Sequence, residues 1–238
     1  MEKTNFIERL MEFGLTRQEA AIYQSLLGEG KMTGYEVAKQ TGISRSNAYN
    51  SLASMTEKGA ACLVEEGNTR KYVPVSLEEF CKNRIRRMEE AKRWLESHGP
   101  VEKPHVEGYI TIEGAQNILD KIRNILGKVD QRVYISCTRN YLLLLVRELE
   151  ELRKSKKKVV IITDQPVTFA GARTYVGKSR GMQIGVIADS RYVLTGEYGE
   201  GSMNTCLYSG QKNFVELYKT ALANEIRLLS IQEERNQE

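Results

Sequence analysis

The chain has 238 residues, with 35 basic and 31 acidic side chains and a formal charge of +4, enough length for two domains and too mild a charge to imply nucleic acid by itself. Four cysteines without CxxC spacing, and histidines only at His98 and His105, argue against a structural zinc and for free, mostly buried thiols over a redox sensor, and no cofactor is expected. The longest aliphatic stretch, residues 142–146, is far too short to cross a bilayer, and no N-terminal apolar run resembles a signal peptide, so a cytoplasmic location is expected.

The first strong signature covers residues 16–28. Thr16 followed three positions later by Glu19 is a capping-box pattern, and Ala20, Tyr23, Leu26 and Leu27 supply an apolar face, with Tyr23 expected as a packing ring. Residues 33–59 then read as helix, tight turn and helix. Thr33 caps a helix over residues 34–41 with Val37 and Ala38 inward, Gly42 ends it in a left-handed conformation, and Ile43 packs into the turn. Ser44 is suited to accept the free amides that open the second helix. Along that helix Ala48, Leu52 and Met55 recur at helical spacing with Tyr49 beside them, which leaves Arg45, Ser46, Asn47, Asn50, Ser51 and Ser54 outward.

In a helix-turn-helix the N-terminal residues of the second helix approach base edges in the major groove, so Ser44, Arg45, Ser46, Asn47 and Asn50 are the candidate DNA contacts. Arginine suits guanine and asparagine suits adenine. The competing reading is a helical hairpin with a solvated polar face. Strand-like residues 62–65 and 70–75, separated by a turn-rich tip at Glu66, Gly67 and Asn68, add a hairpin or wing behind the two helices. Arg70 and Lys71 sit just past its tip, placed to neutralise phosphates without reading sequence. Gly14-Leu15-Thr16, Glu19-Ala20, Tyr23 and Leu26, followed by this helix-turn-helix and wing, resemble the TrmB family of winged-helix transcriptional regulators. The resemblance covers roughly the first third of the chain and implies a winged-helix DNA-binding domain over residues 1–76.

Residues 77–98, preceded by Ser76 as cap, form one predicted connecting helix of about six turns. Phe80, Cys81, Ile85, Met88, Ala91, Trp94 and Leu95 make an apolar stripe, with Cys81, Met88 and Leu95 seven apart. A partner helix from a second subunit would bury it as a short coiled coil; packing on its own domain is the other reading. Gly99-Pro100 stops the helix and Pro104 marks a linker.

From residue 106 to 230 strands and helices alternate. Strands are expected at 108–112, 132–136, 158–163, 183–188, 192–195 and 205–209, and helices at 114–126, 140–154 and 211–229, an α/β domain with a mixed sheet and an α+β chain overall. Residues 183–197 resemble the strand–turn–strand region of the phospholipase D-like fold. Aligning Asp189 with the Asp of that fold's HxKxxxxD motif puts Met182 where the nucleophilic His belongs and Ile184 where the phosphate-binding Lys belongs, so the resemblance implies a retained fold without activity. Asp189 is then a turn residue, and no catalytic residue is assigned. Residues 168–180 read as a loop whose Arg173, Lys178 and Arg180 could receive an anionic effector; the alternative is a surface loop with no ligand.

The combined expectation is a homodimeric transcriptional regulator that binds double-stranded DNA at a roughly palindromic operator, with a C-terminal sensing or assembly domain. A small-molecule effector belongs to that expectation, and a membrane does not. The runner-up is a phosphodiesterase or nuclease of phospholipase D-like fold targeted by a winged helix. A third reading makes the N-terminal unit a protein-docking module.

Overall fold

The computed structural model describes residues 6–67, 69–101, 108–177 and 181–235, and the chain divides into two compact units, residues 1–102 and 103–238. The first contains α1 (Phe6–Glu12), α2 (Arg17–Glu29), β1 (Met32–Thr33), α3 (Gly34–Thr41), α4 (Arg45–Lys58), β2 (Ala61–Glu66), β3 (Thr69–Pro74) and α5 (Leu77–His98). The expected capping box of Thr16 and Glu19 forms, and Thr33 makes a second with Glu36: each threonine accepts the amide three residues on, and each glutamate reaches back to the cap amide. Gly28 lies inside α2, which ends at Glu29 and is capped by Gly30, whose φ of 83° takes the chain out of the helix.

The core of this unit joins α2, α3, α4, the wing and the first turn of α5. Ile22, Tyr23, Leu26, Val37, Leu52 and Met55 are all fully buried, with Phe80 among them. The Tyr23 ring lies 5.4 Å from the Phe80 ring, and its hydroxyl donates to the Val75 carbonyl at 2.8 Å. Burial pushes the Tyr23 phenol up to about 12. Burying a ring such as Phe80 is worth about 1.5–3 kcal/mol, and Arg84 Nε adds a 3.0 Å hydrogen bond to the Phe13 carbonyl. The start of α5 is thereby fastened to the winged unit. β2 and β3 pair antiparallel, and two-residue β1 joins them to give the order β1-β3-β2. Neither β1 nor α1 was expected, because two and seven residues are too few to show a period.

The second unit contains β4 (Tyr109–Glu113), α6 (Ala115–Leu126), β5 (Arg132–Ser136), α7 (Arg139–Leu142), a 3₁₀ turn (Leu143–Leu145), α8 (Val146–Lys154), β6 (Lys158–Thr163), β7 (Ala172–Val176), β8 (Gln183–Ala188), β9 (Tyr192–Glu197), β10 (Thr205–Ser209) and α9 (Lys212–Arg235). Seven strands form one mixed sheet in the order β4-β10-β9-β8-β5-β6-β7, with only β5/β6 and β6/β7 parallel. Alternate residues feed two cores. Val133, Ile135, Val159 and Ile161 meet α6 and α8 on one face, while Val160, Ile162, Tyr175 and Ile187 meet α9 on the other. The unbroken apolar run of β6 follows from this burial on both sides.

Two expectations are corrected. The helix over residues 140–154 is interrupted by the 3₁₀ turn: Leu142 and Leu145 are buried while Leu143 and Leu144 are exposed, a spacing of three that suits the tighter helix. The loop over residues 168–180 holds a strand, β7, because Arg173-Thr174-Tyr175-Val176 pairs with β6 at the sheet edge despite the flanking glycines. The final helix also runs on to Arg235.

Candidate nucleic-acid interface

α3 and α4 meet at a turn that glycine makes possible. Gly42 adopts φ 70°, its amide closes α3 on the Ala38 carbonyl, and Ser44 Oγ then accepts the Asn47 amide at 3.4 Å to open α4. Ala48, Leu52 and Met55 are fully buried and fix the roll of the helix. That roll leaves Ser44, Arg45, Ser46, Asn47 and Asn50 exposed together on its first turns, the five positions expected from the sequence.

Other positions on α4 differ from expectation. Tyr49 is 47 % exposed rather than part of the core stripe, and its ring covers Gly34 so closely that any Cβ there would overlap it. Ser51 is buried because it stands three residues after Ala48, on the inner stripe. Ser54 also turns inward, hydrogen-bonding Glu19. Burial alone would raise the Glu19 carboxyl, but hydrogen bonds from Lys58, the Thr16 amide and Ser54 hold it below its ordinary value. The Lys58–Glu19 pair is 2.6 Å long with Glu19 almost fully enclosed, tying the end of the reading helix to α2.

The Arg45 guanidinium lies 4.6 Å from the centre of the Tyr35 ring. Tyr35 is half exposed at the start of α3. It was not singled out from the sequence; standing beside the inward stripe of Gly34, Val37 and Ala38, it lies at that stripe's edge. Stacked on that ring, Arg45 is held at the surface instead of ranging freely.

The wing is less bare than its residues suggested. Arg70 pairs with Glu65 at 3.2 Å and Lys71 with Glu66 at 2.9 Å, while Lys31 also bonds Glu66. Those two lysine hydrogen bonds pull the Glu66 carboxyl down to about 2. Exposed pairs of this kind are screened by water and contribute little, so a phosphate can exchange for the carboxylate.

In the second unit Arg173 sits on β7, and Lys178 and Arg180 lie outside the described residues. The three positions aligned with the phospholipase D motif lie in different settings. Met182 is 41 % exposed, Ile184 is in the core, and Asp189 accepts the backbone amides of Asp130, Gln131 and Arg132, each at 2.8 Å. Burial would raise the Asp189 carboxyl, yet the three amides hold it below its usual range. Asp189 and Ser190 both adopt positive φ, which fits the turn role expected of Asp189. Cys137 and Cys206 are buried, Cys81 is half-buried and Cys62 is exposed, so burial of the thiols is less general than expected. Among the described residues no helix is long and apolar enough to cross a membrane.

Residues 10–78 match the family model described as sugar-specific transcriptional regulator TrmB. The winged unit is a TrmB-family domain. The uncharacterized protein YrhO of Bacillus subtilis is 31 % identical over 68 % of this chain and 58 % of its own length. The HTH-type sugar sensing transcriptional regulator TrmBL1 of Pyrococcus furiosus is 27 % identical over 69 % of this chain and 49 % of its own. The chain thus spans about half the length of these relatives. Among solved structures, a phospholipase D family member, Nuc from Salmonella typhimurium, matches 49 % of this chain and 92 % of that one, at 10 % identity and a TM-score of 0.37.

Proposed function

We propose that the chain is a sequence-specific transcriptional regulator that binds double-stranded DNA as a homodimer, with the second unit as its effector or assembly domain. The observation that carries this reading is the first two turns of α4: five polar side chains exposed side by side, rigidly capped and backed by a fully buried stripe. The TrmB match over residues 10–78 supports it. Reading two half-sites about one helical turn apart requires two copies at fixed spacing. The apolar stripe of α5 offers a way to pair them, since Ile85, Met88, Trp94 and Leu95 are each about half or more exposed within the chain. A ligand on the second unit would act by favouring one spacing of the reading helices over another.

The same reading makes the chain a regulator rather than a nuclease. Met182 and Ile184 offer neither a nucleophile nor a charge for phosphorus chemistry. The test is selection of binding sites from random duplexes, followed by gel shift with Arg45→Ala and Asn47→Ala. Each should lose about 1–3 kcal/mol on the selected site and discriminate less between bases. Equal loss on selected and random DNA would remove that residue from the reading role.

A further inference from the structure

On the α9 side of the second unit's sheet, a cleft of about 510 Å³ opens between α9 and strands β5, β6 and β7. Its rim is cationic and its floor aromatic and aliphatic. Arg132, Lys158 and Arg173 stand on three neighbouring strands, with Tyr134 and Tyr175 two residues further along β5 and β7. Strand register places Arg132 directly opposite Lys158, and Arg173 opposite Val160, two positions on from Lys158. Neighbouring strands lie only about 4.8 Å apart, and like charges directly opposite one another destabilise a sheet. No carboxylate lines the cleft, and none pairs with Arg132, Lys158 or Arg173 among the described residues. The fourth cation, Lys219 of α9, has Glu216 at 2.9 Å.

Solvated cations would extend away from each other. Here two are drawn over rings instead: Arg173 lies 5.1 Å from the centre of Tyr175, itself buried, and Lys158 lies 6.0 Å from that of Tyr134. Asp189, by holding the Arg132 amide, fixes the strand end from which the third cation projects. The result is concentrated positive charge over an apolar floor, in a volume typical of small-molecule sites.

We infer that this cleft binds a small phosphate-bearing anion, its phosphate oxygens held by Arg132, Lys158 and Arg173 and any attached organic body lying over Tyr134, Ile187 and Leu222. The proposal rests on reading the second unit as an effector domain, and it relocates the anionic site from the expected loop to the sheet face. The shared chemistry is a multiply charged phosphate, whether inorganic or carried on an organic molecule.

Calorimetric titration of the full chain at constant ionic strength, with pyrophosphate as the inorganic probe and AMP as the organic one, tests it. Saturable binding of at least one probe is expected, and the tighter of the two identifies the source. The double variant Arg132→Gln/Lys158→Gln should weaken that binding at least about tenfold, because each lost charge-assisted hydrogen bond removes a strong contact. Arg173→Gln alone should do so by a smaller factor, and it serves as the readout if the double variant does not fold. Absence of saturable binding to either probe, or equal binding by wild type and variants, would overturn the proposal. So would a parallel loss of duplex DNA binding in the variants, which would identify DNA phosphodiesters as the occupant. Failure of the DNA-reading proposal shows separately, in the Arg45→Ala and Asn47→Ala gel shifts, which do not involve this cleft.

Discussion

Glu19 shows how one side chain can serve two elements. It closes the capping box of α2 through the Thr16 amide and, nearly enclosed, also receives Lys58 from the end of α4. Replacing it with glutamine keeps the shape but leaves Lys58 without its counter-charge, which should cost about 2 kcal/mol given that Lys58 is still partly in water. The pH dependence follows from the lowered carboxyl. A depressed folded value means the stabilisation is fully present above the ordinary 4.5 and is lost as pH falls through the lower folded value. Urea unfolding of wild type and Glu19→Gln should therefore differ at neutral pH and converge in acid below that range. A constant gap at all pH values would assign the effect to packing instead. At this scale the sequence was legible where partners are local: Thr16 with Glu19 follows from spacing, and Thr33 and Ser44 cap their helices as expected, on Glu36 and Asn47. Partners distant along the chain were not, and these include Lys58 for Glu19, Gly34 for Tyr49 and the three amides held by Asp189.

Among elements, α5 divides into a tethered beginning and a free remainder. Phe80 is buried and Arg84 bonds the Phe13 carbonyl, whereas Met88 and Leu95 are 58 % and 61 % exposed. If the stripe is the seam between subunits, Met88→Glu with Leu95→Glu should raise the dimer dissociation constant by well over about tenfold. The winged unit's melting temperature should move little, because neither side chain contributes to its core. Sedimentation at several concentrations checks both the assembly and its loss, and an unaltered dimer would assign pairing to another surface. Residues 77–98, 132–136, 158–163, 183–188 and 205–209 could be delimited from sequence because each is an apolar stripe or run bounded by caps or turn residues. β7 could not. Its single buried tyrosine shows no alternation, and strand pairing at the sheet edge decides its conformation.

At the scale of the whole molecule the two units keep separate cores: Leu10 to Phe80 in one, and Ile118 to Leu229 on the two sheet faces of the other. Ile122 is fully enclosed in the second, so Ile122→Ala should cost about 3 kcal/mol there. Denaturation followed by a probe in each unit should show that loss only in the second, while a common shift would mean that both unfold as one cooperative block. Helix spacing and strand pattern pointed to a winged helix and a mixed sheet, whereas the order of seven strands lies in long-range pairing that no local pattern encodes. The Asp189 fastening bears on how such chains are sorted by motif. An aspartate that grips the amides of Asp130, Gln131 and Arg132 has a mechanical reason to occupy its place with the nucleophile and cation of the hydrolytic motif absent. A search that scores this aspartate as a relic of catalysis would therefore count a joint in the scaffold as a vote for an enzyme.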